Sequence, residues 1–167
     1  MIVVRIVHIL CAIFWTGATF YLAAFVIPAV KALGPDGGKF MAQLTRTNKL
    51  PAVMLAVSSL AVAAGLTMMY YLSGGFAIAW FGTPHGIVIC CGASSAIIAY
   101  AVGFIVTIPT VKKIAAISKL ISESGGPPAP DQMMQLQKLR HTLFTATNGV
   151  AVLLLIAALF MSMARYF

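Results

Sequence analysis

Four long apolar segments divide this chain, and they constrain its fold more than any other feature. They cover approximately residues 2–30, 50–72, 84–109 and 141–164. A helix needs about 20 predominantly apolar residues to cross a hydrocarbon core of about 30 Å, and each segment is long enough. The sequence therefore predicts an all-α fold: an integral membrane four-helix bundle that forms a single transmembrane domain over residues 1–167.

Basic residues are distributed very unevenly around these segments. Only Arg5 and Arg165 belong to the side of the membrane that holds the two chain ends. The other nine of the eleven lie in the gaps after the first and third segments: Lys31, Lys39, Arg46, Lys49, Lys112, Lys113, Lys119, Lys138 and Arg140. Because Lys and Arg concentrate in cytoplasmic loops, we expect a multi-pass membrane protein with extracytoplasmic termini.

The composition supports a lipid environment. Hydrophobic residues make up 61% of the chain and charged residues 8%, whereas about a quarter of a soluble domain is charged. The net charge is +8. The basic residues flank the apolar segments, where they would face anionic inner-leaflet lipid. The predicted partner is the lipid bilayer, and nucleic acid is excluded.

The third and fourth segments continue as helices beyond the apolar region. After Pro109, apolar residues recur at helical spacing among lysines up to Ile121, which predicts an amphipathic cytoplasmic extension with a kink at Pro109. A Gly- and Pro-rich linker covers residues 125–130. Asp131 is predicted to be the N-cap of the last helix, which would run to about Tyr166.

His8 is an ionisable residue inside the first apolar segment. Its helix face holds small and polar side chains, including Ala12, Thr16 and Thr19, so it should point into the bundle. Intramembrane ionisable residues are candidates for functional sites. Two interpretations are open: a ligand or relay, or a histidine that only forms a hydrogen bond to a neighbouring helix.

His85 lies in the first turn of the third segment, which Thr83 and Pro84 are expected to start as N-cap and first helical residue. Its face carries small residues that permit close approach: Gly92, Ala96, Ala99 and Gly103. On its own, His85 could be a residue of the membrane interface.

The first and third segments cross the membrane in the same direction, so His8 and His85 belong to the same half of the bundle. Two neutral imidazoles from facing helices can ligate a haem iron axially. Helical rise predicts a vertical offset of about 6 Å between them, which helix tilt can absorb. We expect Thr16 or Ser95 to orient the rings.

A third histidine belongs to the opposite half. His141, Thr145 and Asn148 form a polar stripe on the fourth helix near the predicted cytoplasmic surface. Two interpretations are open. His141 can be a residue of the membrane interface while the stripe forms interhelical hydrogen bonds, or the stripe can be a site for a quinone or a lipid head group. The three acids of the chain, Asp36, Glu123 and Asp131, lie outside the apolar segments, which argues against proton-coupled transport and carboxylate acid–base catalysis.

The stretch from Arg5 to Leu22, with His8 followed by Trp15-Thr16-Gly17, resembles the opening helix of the CopD-like and HemJ-like bacterial membrane proteins. The order of the Leu50-Pro51-Ala52, Gly65-Leu66 and Trp80…His85 elements is also similar, and the resemblance covers roughly residues 3–106. It implies a multi-pass protein of a bacterial inner (cytoplasmic) membrane, and a four-helix bundle with a b-type haem ligated by His8. HemJ-type protoporphyrinogen oxidases carry a lysine soon after the third-helix histidine, whereas Gly86-Ile87-Val88-Ile89 follows His85 here.

The sequence thus predicts a b-type haem protein for electron transfer, with His8 and His85 as axial ligands, inside a larger respiratory or oxidising membrane complex. Quinone and other membrane subunits are the expected partners. One alternative is a cofactor-free accessory subunit of a membrane enzyme complex. A second is a HemJ-type protoporphyrinogen oxidase. No residue is singled out as catalytic, and whether the chain is an enzyme stays open.

Overall fold

A computed structural model describes residues 1–124 and 128–167. Its four long helices are α1 (Ile2–Ala32), α3 (Leu50–Leu72), α5 (Pro84–Ser124) and α6 (Pro130–Tyr166), and each contains an apolar stretch long enough to cross a membrane. Two short helices connect them: α2 (Pro35–Ala42) precedes α3, and α4 (Ile78–Phe81) precedes α5. The chain is an all-helical, multi-pass membrane protein, as predicted.

The ends of the long helices follow local sequence. α3 spans Leu50–Leu72, and α5 and α6 extend beyond their apolar segments as expected. The cap of α6 was predicted wrongly. Ala129 is the N-cap, and Asp131 lies in the first turn, because Pro130 has the fixed φ that suits the first helical position. Of the predicted linker, residues 125–127 lie outside the described residues.

Two of the long helices contain a wide π-helical turn just before a proline. Leu22–Val26 precedes Pro28 in α1, and Gly103–Thr107 precedes Pro109 in α5. A proline cannot donate a backbone hydrogen bond, and its ring crowds the carbonyl group four residues earlier. A π-helical turn accommodates that crowding while the helix continues. At Pro109, where the sequence predicted a kink, the helix thus contains a π-helical turn.

The long helices pack as two hairpins. α1 makes its most extensive contacts with α3, and α5 with α6. α5 and α6 approach each other closely at Gly92. A Cβ added at this position would lie 3.2 Å from the Ala157 carbonyl oxygen of α6. Between the hairpins, the Ser59 hydroxyl of α3 lies 2.9 Å from that of Tyr100 of α5, at hydrogen-bonding distance.

The centre of the bundle is a small apolar core. Trp15 of α1 packs there with residues of the other three long helices: Ala61, Ala99, Val150 and Leu154. Trp15 also meets Tyr100 edge to face, with 6.5 Å between the ring centroids. Cavities lie on both sides of this layer. The side that holds both chain termini is called the terminal side below, and the other the loop side.

Candidate functional site

The larger of these cavities lies on the terminal side, between all four long helices. Its volume is about 440 Å³, within the range of about 300–1,000 Å³ that is usual for ligand pockets. Trp15 separates it from a smaller loop-side cavity of about 130 Å³ and lines both. The larger cavity can therefore accept a ligand that inserts between the two hairpins.

His8 and His85 both line this terminal-side cavity, one from α1 and the other from the start of α5. Both are half-buried. His8 Nδ1 lies 2.8 Å from the carbonyl oxygen of Ala61 in α3, and His85 Nδ1 lies 2.8 Å from that of Ala164 in α6. The two histidines that the sequence paired therefore line the same cavity.

These hydrogen bonds determine the form of each imidazole. A carbonyl oxygen can only accept, so each Nδ1 must carry the proton and donate it. In the neutral ring this leaves a lone pair on Nε2. Metal-ligating histidines typically have one nitrogen donating to a carbonyl or carboxylate while the other coordinates. The orienting partners are main-chain carbonyl groups, where the sequence had predicted Thr16 or Ser95.

Gly65 gives His8 its place against α3. A Cβ at Gly65 would lie 2.8 Å from His8 Cε1 and 3.1 Å from His8 Nδ1, closer than ordinary packing permits. The glycine lies one helical turn after Ala61, whose carbonyl oxygen accepts the His8 proton. Sequence reasoning did not identify this role for Gly65, and a glycine inside an apolar helix was the available sign of close contact.

His85 is fixed by the start of α5. The Thr83 hydroxyl oxygen accepts a hydrogen bond from the Gly86 N–H at 3.0 Å, and Pro84 occupies the first turn, which confirms the predicted cap. The Trp80 ring lies edge to face with the imidazole, at 6.2 Å between centroids. A capped first turn holds the histidine at the rim of the bundle while its ring reaches Ala164 of α6.

The walls of the cavity are mostly small or apolar. Of the predicted third-helix face, Ala96 lines this cavity, whereas Ala99 and Gly103 line the loop-side cavity and Gly92 packs against α6. Alanines line it from α5 and α6, and methionines from α3 and α6: Ala93, Ala96, Ala157, Ala158, Met68, Met69 and Met161. Small side chains let a flat ligand approach the helix backbones. Arg5 and Arg165 are the charged lining residues.

The predicted quinone or lipid site on α6 is not part of either cavity. His141 and Thr145 are exposed, and the Asn148 side chain donates to the Phe144 carbonyl oxygen of its own helix at 2.8 Å. The loop-side cavity is lined instead by Leu143, Thr147 and Val150 from a different face of α6. The stripe therefore faces away from the cavities and can only meet lipid or another molecule.

Within residues 1–124 and 128–167, no three His, Cys, Asp or Glu side chains are grouped to hold a metal ion. Cys11, Cys90 and Cys91 are free thiols. The terminal-side cavity thus offers two imidazoles and no further protein ligand from this set. That donor set fits a metal whose remaining ligands come from a macrocycle, as in haem.

Comparisons with known proteins provide no family for this chain. No protein-family model, no curated protein and no solved structure matches it. The resemblance to CopD-like and HemJ-like proteins therefore stays a prediction, and the function must be argued from the geometry of the cavity.

Proposed function

We propose that this chain is a b-type haem protein for electron transfer, with His8 and His85 as the axial ligands of one haem. One observation carries the proposal: two imidazoles from different helices line a single intramembrane cavity, and each has its Nδ1 proton engaged by a carbonyl oxygen. Both Nε2 atoms are then available as neutral donors, the form that ligates haem iron.

The residues of the cavity fit such a group. A haem iron receives four nitrogen ligands from its porphyrin, so two protein ligands complete its coordination. The small lining residues leave room for a planar macrocycle beside the helix backbones. A haem bound here would supply one-electron redox chemistry. The protein would hold the iron, orient the imidazoles through Ala61 and Ala164, and exclude water with its apolar walls.

The cellular setting belongs to the same proposal. We place the chain in a bacterial inner membrane, and the positive charge between the first and second and between the third and fourth apolar segments supports extracytoplasmic termini. In that orientation the haem would lie in the outer half of the bundle. It would exchange electrons between a quinone and an extracytoplasmic acceptor, or act as one redox centre of a larger respiratory or oxidising complex.

A reduced-minus-oxidised absorption spectrum of the purified protein tests the proposal. The wild-type protein should give the bands of a six-coordinate b-type haem. His8→Ala and His85→Ala should each remove one axial ligand, so that haem is lost or the spectrum changes to a five-coordinate form. His141→Ala is the matched control, since this exposed histidine lies outside the cavity.

Two results would contradict haem ligation by these residues. One is the absence of haem bands from protein that was prepared from haem-replete membranes without harsh detergent. The other is a wild-type spectrum in both His8→Ala and His85→Ala. In either case the cavity would have to bind something other than a haem ligated by these two histidines.

A second candidate function is that of a cofactor-free accessory subunit, and a specific observation favours it. Ala52, Ala56 and Ala63 follow one another along α3 and are all exposed. Small residues on a membrane helix allow a partner helix to approach closely. After extraction in mild detergent, an accessory subunit should migrate on a native gel in a stoichiometric assembly. Migration as a monomer with bound haem would favour an independent cytochrome instead.

A further inference from the structure

Two arginines lie at the same cavity as the two histidines. Arg5 comes from α1 and Arg165 from the end of α6, and both line the terminal-side cavity. Arg5 lies three residues before His8, on the same helix face. Arg165 directly follows Ala164, whose carbonyl oxygen accepts the His85 proton. Arg5 is therefore close in sequence to one imidazole, and Arg165 to the carbonyl group that positions the other.

No acidic side chain of the protein is available to these arginines on the terminal side. The three acids of the whole chain are Asp36, Glu123 and Asp131. Asp36 follows α1 at the loop side, Glu123 lies near the end of α5, and Asp131 lies in the first turn of α6. In the described parts of the chain, the ion pairs are Lys39–Asp36 and Lys119–Glu123, so neither arginine has a carboxylate partner there.

Guanidinium groups are particularly suited to bind carboxylates. Their planar fork of N–H donors can engage both oxygens of one carboxylate, and such charge-assisted pairs are about twice as strong as neutral hydrogen bonds. The Arg165 Cζ atom lies 5.1 Å from the ring centroid of Tyr166, which supports that guanidinium from one side. Two guanidinium groups beside a cavity that suits a planar ligand match a ligand with two carboxylates on one edge.

We infer that Arg5 and Arg165 bind the two propionate carboxylates of the haem, and so fix its orientation with the propionate edge toward the terminal side. The inference rests on the proposed haem function. It adds an anion-binding subsite to the two axial ligands. It also explains why the two basic side chains on this side of the bundle both line the histidine cavity.

The test compares haem b with its dimethyl ester, in which both propionates are uncharged. Purified apoprotein is titrated with each compound in a non-ionic detergent, and binding is followed by the absorbance of the ligated haem. The wild-type protein should bind haem b at least about tenfold more tightly than the ester, because each charge-assisted hydrogen bond contributes roughly a factor of ten or more.

Substitutions then assign the effect to the two arginines. Arg5→Gln and Arg165→Gln should each weaken binding of haem b about tenfold while they leave binding of the ester nearly unchanged. Arg5→Lys, which keeps the charge but loses the planar fork, should give an intermediate loss. Arg140→Gln removes an exposed arginine from the far end of α6, outside the cavity, and should bind both compounds like the wild type.

The outcomes separate this inference from the proposed function. If the wild-type protein binds neither compound, the haem function itself fails. If it binds both with equal affinity through His8 and His85, the haem function stands and the propionate subsite is wrong. The arginines would then anchor the helix ends to lipid phosphates. The wild-type comparison needs no variant, so a misfolded substitution cannot hide either result.

Discussion

Gly65 and Gly17 are both glycines inside long helices, but their surroundings differ. A Cβ at Gly17 would have no neighbour within 4 Å, whereas one at Gly65 would overlap the His8 ring. Either substitution by alanine gains about 0.5–1 kcal/mol of helix stability. Only Gly65→Ala must also displace the imidazole and break its bond to Ala61, which costs about 0.5–1.5 kcal/mol or more.

We therefore predict that Gly17→Ala is more stable than the wild type and that Gly65→Ala is less stable than Gly17→Ala by about 0.5–1.5 kcal/mol or more. Unfolding of the two variants in the same detergent measures this difference. If haem is ligated by His8, Gly65→Ala should also alter the haem spectrum, and Gly17→Ala should not. Equal stability of the two variants would show that His8 can move without loss.

At the scale of single residues, part of the candidate site could be predicted from the sequence. His8 and His85 were identifiable because an ionisable group in an apolar segment is rare and costly. Their hydrogen-bond partners were not, because Ala61 and Ala164 contribute main-chain carbonyl groups that every residue possesses. Only the packing of α1 on α3, and of α5 on α6, determines which carbonyl groups the two rings meet.

At the scale of elements, the residues near a helix end predict where the helix begins or ends. Thr83 caps α5 as its residue type and the following proline predict. The cap of α6 differs by two residues from the predicted one, since Pro130 is itself a good first helical residue. The wide turns before Pro28 and Pro109 could not be predicted, because a proline can be accommodated by a kink, a helix end or a π-helical turn.

The contact between α5 and α6 depends on Gly92. A Cβ there would lie 3.2 Å from three groups of α6: the Ala157 carbonyl oxygen, Phe160 Cβ and Met161 Cγ. A leucine must therefore push the helices apart. Overpacking of this kind typically costs about 1–3 kcal/mol. We predict a loss of that size in the unfolding free energy of Gly92→Leu.

Gly149→Leu is the control for this prediction. Gly149 lies in α6, is exposed, and would place its Cβ in open space. The same change of side chain should therefore leave stability unchanged or slightly raise it, since leucine is a better helix former than glycine. A Gly92→Leu protein as stable as Gly149→Leu would mean that the α5–α6 approach is not as close as described.

At the scale of the whole molecule, the number of spans followed from hydropathy alone, whereas the lengths of α5 and α6 also required the helical periodicity of their extensions. The pairing of spans into two hairpins did not, because several faces carry small residues and sequence cannot rank them. The third-helix face with Gly92 and Ala99 packs inside, whereas Ala52 and Ala56 of α3 face outward. The α6 stripe at His141 is polar yet exposed, so polarity alone did not identify an inward face.

The orientation of the bundle decides which side of the membrane the histidine cavity serves. Native Cys11, Cys90 and Cys91 are first replaced by serine or alanine. Single cysteines are then introduced at Ala77, in the connection between α3 and α5, and at Ser124, at the end of α5. Both positions are exposed, so membrane sidedness alone should determine labelling by an impermeant thiol reagent in intact bacterial cells.

Because nine of the eleven basic residues lie between the first and second or between the third and fourth apolar segments, the positive-inside rule predicts labelling at Ala77→Cys in intact cells. Ser124→Cys should be labelled only after the membrane is permeabilised, which also controls for its reactivity. This pattern would place the His8–His85 cavity in the outer half of the membrane, where it can deliver electrons to an extracytoplasmic acceptor. The reverse pattern would move the site to the cytoplasmic half and require a cytoplasmic redox partner.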